Sequence, residues 1–260
     1  MALSYSTHRK EIFYYFFGYS IHKKRDINKQ MVDHRDILEA LRNTTIPFDR
    51  RNGVRRSNSD KKRGMCLGYV FHYCKGWWAS KNTVKDQKLS HLLCLFAAER
   101  FPDFKFSSIM VNSGSSALHV DKGNCGPSLI IAVGNHTGGK LWQYPGTELK
   151  VKNRLVECDG RLPHITLPFE GERYSVVYFN MKGSRPPAPE SHQRILKKCG
   201  FAKPPRKHTD NGRPQTHNLS HAAKILKTKW KLSQKYIGDW KNTSFPKLSM
   251  KISNRKLSNN

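Results

Sequence analysis

The sequence predicts a mainly β fold with flanking helices, closed as a jelly-roll or cupin-like barrel, and three observations point there. Seven short strand-like runs follow one another over residues 106–112, 117–121, 128–134, 140–144, 149–156, 164–167 and 174–180. Turn signals separate them: Ser113-Gly114-Ser115, Gly123-Asn124, Thr137-Gly138-Gly139, Pro145-Gly146, Asp159-Gly160 and Glu170-Gly171. Strands at this spacing form double-sheet jelly rolls or barrels. Just before them, residues 86–101 read as one amphipathic helix, with Leu89, Leu92, Leu93, Phe96 and Ala97 on one face and Pro102 ending it. Such a helix suits the outside of a β-sandwich. Lastly, the charge is unevenly spread. The net of +28 divides into +8 over residues 1–63, +4 over 64–180 and +16 over 181–260, so the balanced centre is the part able to build a core.

In chain order, residues 1–63 form a basic, partly helical extension and linker. The aromatic run from Ile12 to Phe17 suits a short buried strand or a helix packed on the domain. A short helix is expected over 33–42, with Ile37, Leu38 and Leu41 on one side. Residues 49–60 are polar, basic and poor in apolar side chains, which reads as a linker. At Gly64 the character changes, and Cys66 to Phe71 are strand-like. From residue 183 the chain reads as a basic, Pro-containing, partly disordered tail. It holds a basic helical pattern at 222–232, and at 249–260 a stretch with almost no core-forming residues.

The composition limits the function classes. Hydrophobic residues make up 37% of the 260, below a typical globular share, so the basic flanks add charge rather than core. Such flanks attract polyanions, nucleic acid above all, by phosphate contacts and counterion release; a solvated extension is the bland alternative. No run approaches the apolar length of a membrane span, and the N-terminus lacks an apolar leader core. Six cysteines without a CxxC pair suggest free thiols in a reducing, intracellular compartment. Lys61-Lys62-Arg63 and Pro205-Arg206-Lys207 permit nuclear import.

The centre holds the chemistry. His119 and Asp121 stand two apart, His164 follows 43 residues beyond the carboxylate, and Arg173 nine beyond that. In a strand, residues i and i+2 point to one face, so His119 and Asp121 project together with Val120 turned away. With His164 from a neighbouring strand, two imidazoles and a carboxylate cover one face of a metal ion. The other face stays open, as in non-haem Fe(II) oxygenases. Arg173 and Ser175 share a strand face, and a guanidinium there suits a bidentate clamp on a carboxylate. The competing reading of Arg173 is an exposed salt bridge to Glu170 or Glu172.

Taken together, His119-x-Asp121, His164 and Arg173-x-Ser175 resemble the signature of the Fe(II)/2-oxoglutarate-dependent dioxygenases. The resemblance covers residues 64–182 and is strongest from Asn112 onward. It implies a double-stranded β-helix, Fe(II) on His119, Asp121 and His164, and O2 as oxidant. It also implies 2-oxoglutarate with its distal carboxylate on Arg173 and Ser175. Asn112 is a candidate contact to 2-oxoglutarate or to a group behind the ligands. The runs Leu118 to Lys122, Gly126 to Ile131, Gly138 to Trp142 and Asp159 to His164 look more similar to TET/JBP-like branches than to prolyl hydroxylases. Those branches oxidise pyrimidine methyl groups in nucleic acid. A protein side-chain hydroxylase, or a non-catalytic β-helix domain with basic nucleic-acid-binding arms, are the alternatives.

Other residues carry both a functional and a purely structural reading. Trp77 and Trp78, expected in a loop, and Trp142 are candidates to stack on an extruded base, although Trp142 sits in an alternating strand and fits a core. Cys66, His72 and Cys74 could supply three zinc ligands without an evident fourth. Arg161 contacts a co-substrate or phosphate, or caps the Asp159-Gly160 turn. His136 reads as a turn residue.

Overall fold

A computed structural model describes residues 31–47, 63–72, 74–183, 185–205 and 214–238. The aromatic run after Glu11, the linker at 49–60 and the stretch at 249–260 lie outside the described residues. In chain order the strands are β1 (Arg63–His72), β2 (Gly76–Ala79), β3 (Ser108–Ser113), β4 (Ser128–Val133), β5 (His136–Gly138) and β6 (Leu141–Gln143). They continue with β7 (Thr147–Leu149), β8 (Val156–Cys158), β9 (His164–Thr166), β10 (Phe169–Gly171) and β11 (Tyr174–Phe179). The helices are α1 (His34–Arg42), α2 (Lys81–Lys85), α3 (Gln87–Arg100), α4 (Glu190–Cys199), α5 (Leu219–Thr228) and α6 (Gln234–Ile237). The architecture is mainly antiparallel sheet with a few helices.

Six strands form the large sheet in the order β2-β1-β3-β11-β4-β8, and β7-β6-β9 form a smaller one. Side-chain alternation gives the large sheet two different faces. Ile109, Val111, Leu129, Ile131, Val176 and Tyr178 turn to one face. There they pack with Ile37 and Leu41 of α1, Leu89, Leu93 and Phe96 of α3, and Leu196 of α4. Burying each such side chain is worth about 1.5–3 kcal/mol, which fixes the register of the whole sheet. The opposite face carries a row of cross-strand partners, Gly64, Asn112, Ser175 and Ala132. Ile130 and Ala132 on that face pack with Leu141 of the small sheet. The two sheets thus share an interior, and the polar members of the row, Asn112 and Ser175, are buried there.

The helices start where the sequence places them. Asp33 caps α1 in a capping box with Asp36, and the Asp86 side chain accepts from Leu89 N at the start of α3.

Several strand expectations are corrected. Residues 117–121 form no regular strand; only a bridge between His119 and His164 remains of it. The run 149–156 is split into β7 and β8, because Asn153 takes the left-handed conformation at φ 53°. Two turn signals, Thr137-Gly138 and Glu170-Gly171, instead pair with each other as β5 and β10. Trp77 and Trp78 lie in β2, not in a loop. Parts of the expected basic tail are also folded. Leu196 and Cys199 join the main core, and Leu219, Ala222, Ala223, Leu226 and Ile237 pack with Leu118, Trp142 and Ile165 on the outer side of the small sheet. The net charge of the tail hid these apolar positions, which recur at helical spacing.

Candidate active site

The three expected ligands converge. The His119 and His164 backbones form a reciprocal pair, with His119 N donating to His164 O at 3.1 Å and His164 N to His119 O at 2.9 Å. This brings the two rings to 4.2 Å between centroids. Asp121 is held by its own backbone, its N donating to Gly160 O at 2.8 Å. Asp121 Oδ1 lies 3.6 Å from His119 Nε2, and Oδ2 lies 4.0 Å from His164 Nε2. One ligand atom from each residue lies within 4.8 Å of the others. Donors bound to one ion through bonds of about 2.0–2.2 Å are at most about twice that apart, so only small adjustments would close the set.

The ring tautomers suit a metal. His119 Nδ1 is 2.7 Å from Ala117 O, and His164 Nδ1 is 2.8 Å from Leu162 O. A backbone carbonyl only accepts, so each neutral ring carries its proton on Nδ1 and presents the Nε2 lone pair toward Asp121. The same bonds fix ring orientation and raise ligand basicity. Asn124 Nδ2 donates to Asp121 Oδ2 at 3.2 Å and to Ser128 Oγ at 3.3 Å, steadying the carboxylate. A Cβ at Gly160 would stand 2.8 Å from Asp121 Oδ2, so this glycine makes room for the carboxylate.

Arg173 is the second half of the site. It precedes β11 and shares the inward face of Ser175, two residues on. Only 3% of it is exposed. Nη2 donates to Gly139 O at 3.2 Å and Nη1 to Gly114 O at a long 3.5 Å, while Nε has no hydrogen-bond partner. Among the described residues no carboxylate pairs with it; Glu172 turns outward and pairs with Arg42 at 2.6 Å. The salt-bridge reading of Arg173 is therefore corrected. Burial pulls the guanidinium down to about 10, the signature of a charge lacking its anion. The Gly139 Cα carries no side chain because a Cβ there would meet Arg173 Nε at 2.9 Å.

Other candidates resolve plainly. Arg161 caps the turn, with Nε and Nη2 on the Asp159 carboxylate at 2.8 and 2.9 Å. Trp142 is fully buried in the core, Trp77 is buried beneath the large sheet, and Trp78 lies against the His192 ring at 4.5 Å. Cys66 and His72 stand near opposite ends of β1, roughly 20 Å apart at a strand's rise per residue, so no zinc set forms from them.

Sequence reasoning missed Asn124, Gly160, His136 and Tyr236. The first two were visible only as turn residues. Burial, with the charges of Arg173 and Lys152, holds the His136 imidazole below the ordinary histidine range. Tyr236 of α6 donates to Thr166 O at 3.0 Å, and burial pushes its phenol up to about 12, opposed by the nearby Arg173 charge. The adjoining Ile237 O accepts from Leu118 N at 3.1 Å, one residue before His119. The C-terminal helices thus brace the segments that carry His119 and His164.

No protein-family model matches this chain, and no curated protein sequence does. Among solved structures, the chain is similar to OsALKBH1, with 12% identity over 58% of this chain and 95% of that one, at a TM-score of 0.36. It is also similar to an oxidoreductase of the 2OG-Fe(II) oxygenase family from Burkholderia pseudomallei (14% identity, 55% and 76% coverage, TM-score 0.37). A prolyl-4-hydroxylase from Pseudomonas putida gives 12% identity, 57% and 84% coverage, and a TM-score of 0.33. At these scores the functional reading rests on the geometry of the site itself.

Proposed function

We propose that this protein is an Fe(II)- and 2-oxoglutarate-dependent dioxygenase whose two facing sheets form a double-stranded β-helix, and that its substrate is a nucleic-acid base. The observation that carries the reading is the convergence of His119, Asp121 and His164, both rings locked with Nε2 toward the carboxylate. The residues fit the metal: neutral imidazoles and a carboxylate on one side suit Fe(II) and leave positions for other ligands. They also fit the co-substrate, since a buried guanidinium without an anion matches a distal carboxylate.

Iron and 2-oxoglutarate, when bound, supply the oxidation: one O2 hydroxylates a C–H bond and converts 2-oxoglutarate to succinate and CO2. The protein's share is binding and orientation. His119, Asp121 and His164 hold the metal, while Arg173 and Ser175 hold the far end of the dicarboxylate. Asn112, the cross-strand partner of Ser175, lies in reach of the same interior. The apolar surroundings, Ile130, Ala132 and Leu141 between the sheets, exclude water from it.

Charge supports the substrate class. Residues 181–260 carry a net +16, and Lys224, Lys227, Lys229 and Lys231 are exposed on and just after α5, which packs against the sheet bearing His164. The likeness of the motif runs to TET/JBP-like branches points the same way. Six free thiols fit an intracellular setting.

The test is aerobic turnover with Fe(II), 2-oxoglutarate and single- or double-stranded oligonucleotides bearing 5-methylpyrimidines. Succinate should appear in step with oxidised nucleosides, read by mass spectrometry. Succinate coupled only to hydroxylated peptides would move the substrate to protein side chains. Salt-dependent oligonucleotide binding with no succinate under any condition would make the domain a binding module.

A further inference from the structure

Among the described residues, two buried side chains near one another have nitrogen atoms without a hydrogen-bond partner. The first is Arg173, at Nε. The second is His136, 2% exposed, with neither Nδ1 nor Nε2 reaching a partner. The Gly138 backbone adjoins the ring without closing a hydrogen bond to it. The two side chains flank one aromatic ring: His136 meets Phe169 edge-on at 6.0 Å, and the Arg173 guanidinium lies 5.4 Å from the same ring. Their pairing follows from the backbone. His136 is the cross-strand partner of Gly171, two residues before Arg173, and Gly139, the residue after β5, accepts from Arg173 Nη2.

A buried donor left unmade costs its full desolvation, and nearly all buried polar groups in proteins are satisfied. Here an unmet guanidinium N–H and an unmet imidazole N–H sit beside a single aromatic wall. One neutral acceptor would satisfy one of them and leave the arginine charge uncompensated. A carboxylate has a negative charge and two oxygens, enough for both.

We infer that His136 is a binding residue for the 2-oxoglutarate co-substrate, its ring N–H donating to the distal carboxylate that Arg173 clamps. The inference rests on the dioxygenase reading and deepens it. Sequence reasoning passed over His136 because Thr137-Gly138-Gly139 marks it as a turn. The strand pair β5–β10, which places it inside, has no strong strand signal of its own.

The experiment is calorimetric titration of the full-length, Zn(II)-loaded protein with 2-oxoglutarate, using wild type, His136→Leu, His136→Gln and Arg173→Met. Zinc replaces iron so that binding is read without turnover. Loss of a hydrogen bond to a charged group should weaken binding about ten- to a hundredfold in His136→Leu. His136→Gln, which keeps an N–H, should recover part of it. In the unmutated protein, the imidazole nitrogen resonances of His136 should shift on addition of 2-oxoglutarate, which guards against a folding defect in the variants. Binding lost in Arg173→Met but unchanged in His136→Leu, with no shift of His136 in the wild type, overturns this inference alone. No binding of 2-oxoglutarate by the wild type overturns the dioxygenase reading and this inference with it.

Discussion

The two ends of the site are built on opposite principles. Around the proposed metal, the polar groups are already braced by protein: each imidazole Nδ1 on a backbone carbonyl, the Asp121 carboxylate on Asn124, the two ligand backbones paired. Around Arg173, buried donors stand without partners and the charge is held below its normal range. The first arrangement is preorganised at little cost to the unbound protein. The second stores an electrostatic penalty that only an anion relieves. A ligand that satisfies the second end would therefore stabilise the fold as well as fill the site.

The largest effect should come from the braced end. In His164→Ala, loss of one of three protein ligands should weaken Co(II) or Fe(II) binding by more than about a hundredfold, exceeding the usual cost of disturbing a ligand's support. Titration followed by the visible bands of Co(II) checks this. Unchanged affinity would mean that the triad does not hold the metal.

At the other end two effects of opposite sign are expected from Arg173→Met. Binding of 2-oxoglutarate should weaken by roughly a hundredfold or more, because a desolvated charge pair is lost. Yet the ligand-free protein should become more stable by about 1–3 kcal/mol, since an uncompensated buried charge is replaced by an apolar chain of similar reach. For a chain of this size that raises Tm by about 2–4 °C per kcal/mol. The pH dependence follows from the same cause. Folding lowers the guanidinium to about 10, so above that pH the unfolded chain binds more protons than the folded one, and this contribution makes stability rise with pH. The contribution should vanish in Arg173→Met, visible as a difference between the two stability–pH curves. A less stable variant would show that Arg173 is satisfied within the protein.

This contrast also marks what could be read in the sequence. Residue type and order marked His119, Asp121 and His164 as a candidate metal set and Arg173 with Ser175 as a candidate carboxylate clamp, and folding brings the first three together. The β core was legible too: runs such as Ser128 to Val133 are buried throughout and have little else they can form. The supporting parts were not legible. Asn124, Gly160 and His136 lie in segments that sequence patterns mark as turns, and their importance arises only from the groups that folding brings beside them. The C-terminal helices were obscured by charge, since Lys224, Lys227, Lys229 and Lys231 are interleaved with the apolar positions that pack on Trp142 and Ile165.

Smaller effects sharpen the comparison. Gly160→Ala should push the Asp121 carboxylate aside and lower metal affinity about tenfold, with the fold intact, because the added Cβ meets Asp121 Oδ2 and Asn124 Nδ2 rather than the core. Circular dichroism alongside the Co(II) titration separates these outcomes. Smallest is Tyr236→Phe, which removes one hydrogen bond to Thr166 O and should cost about 1 kcal/mol of stability, measured by denaturant unfolding. A loss of 2-oxoglutarate binding larger than the loss of stability would place that phenol within the anion pocket.

The measurement that bears most directly on the central claim is an anaerobic titration of the metal-free protein with Fe(II) and 2-oxoglutarate, followed by the weak visible charge-transfer band of the chelate. The wild type should develop the band, His164→Ala should not, and Arg173→Met should need far more 2-oxoglutarate to reach it. A well-folded wild type that shows no band would contradict the assignment of His119, Asp121 and His164 to iron and of Arg173 to the co-substrate.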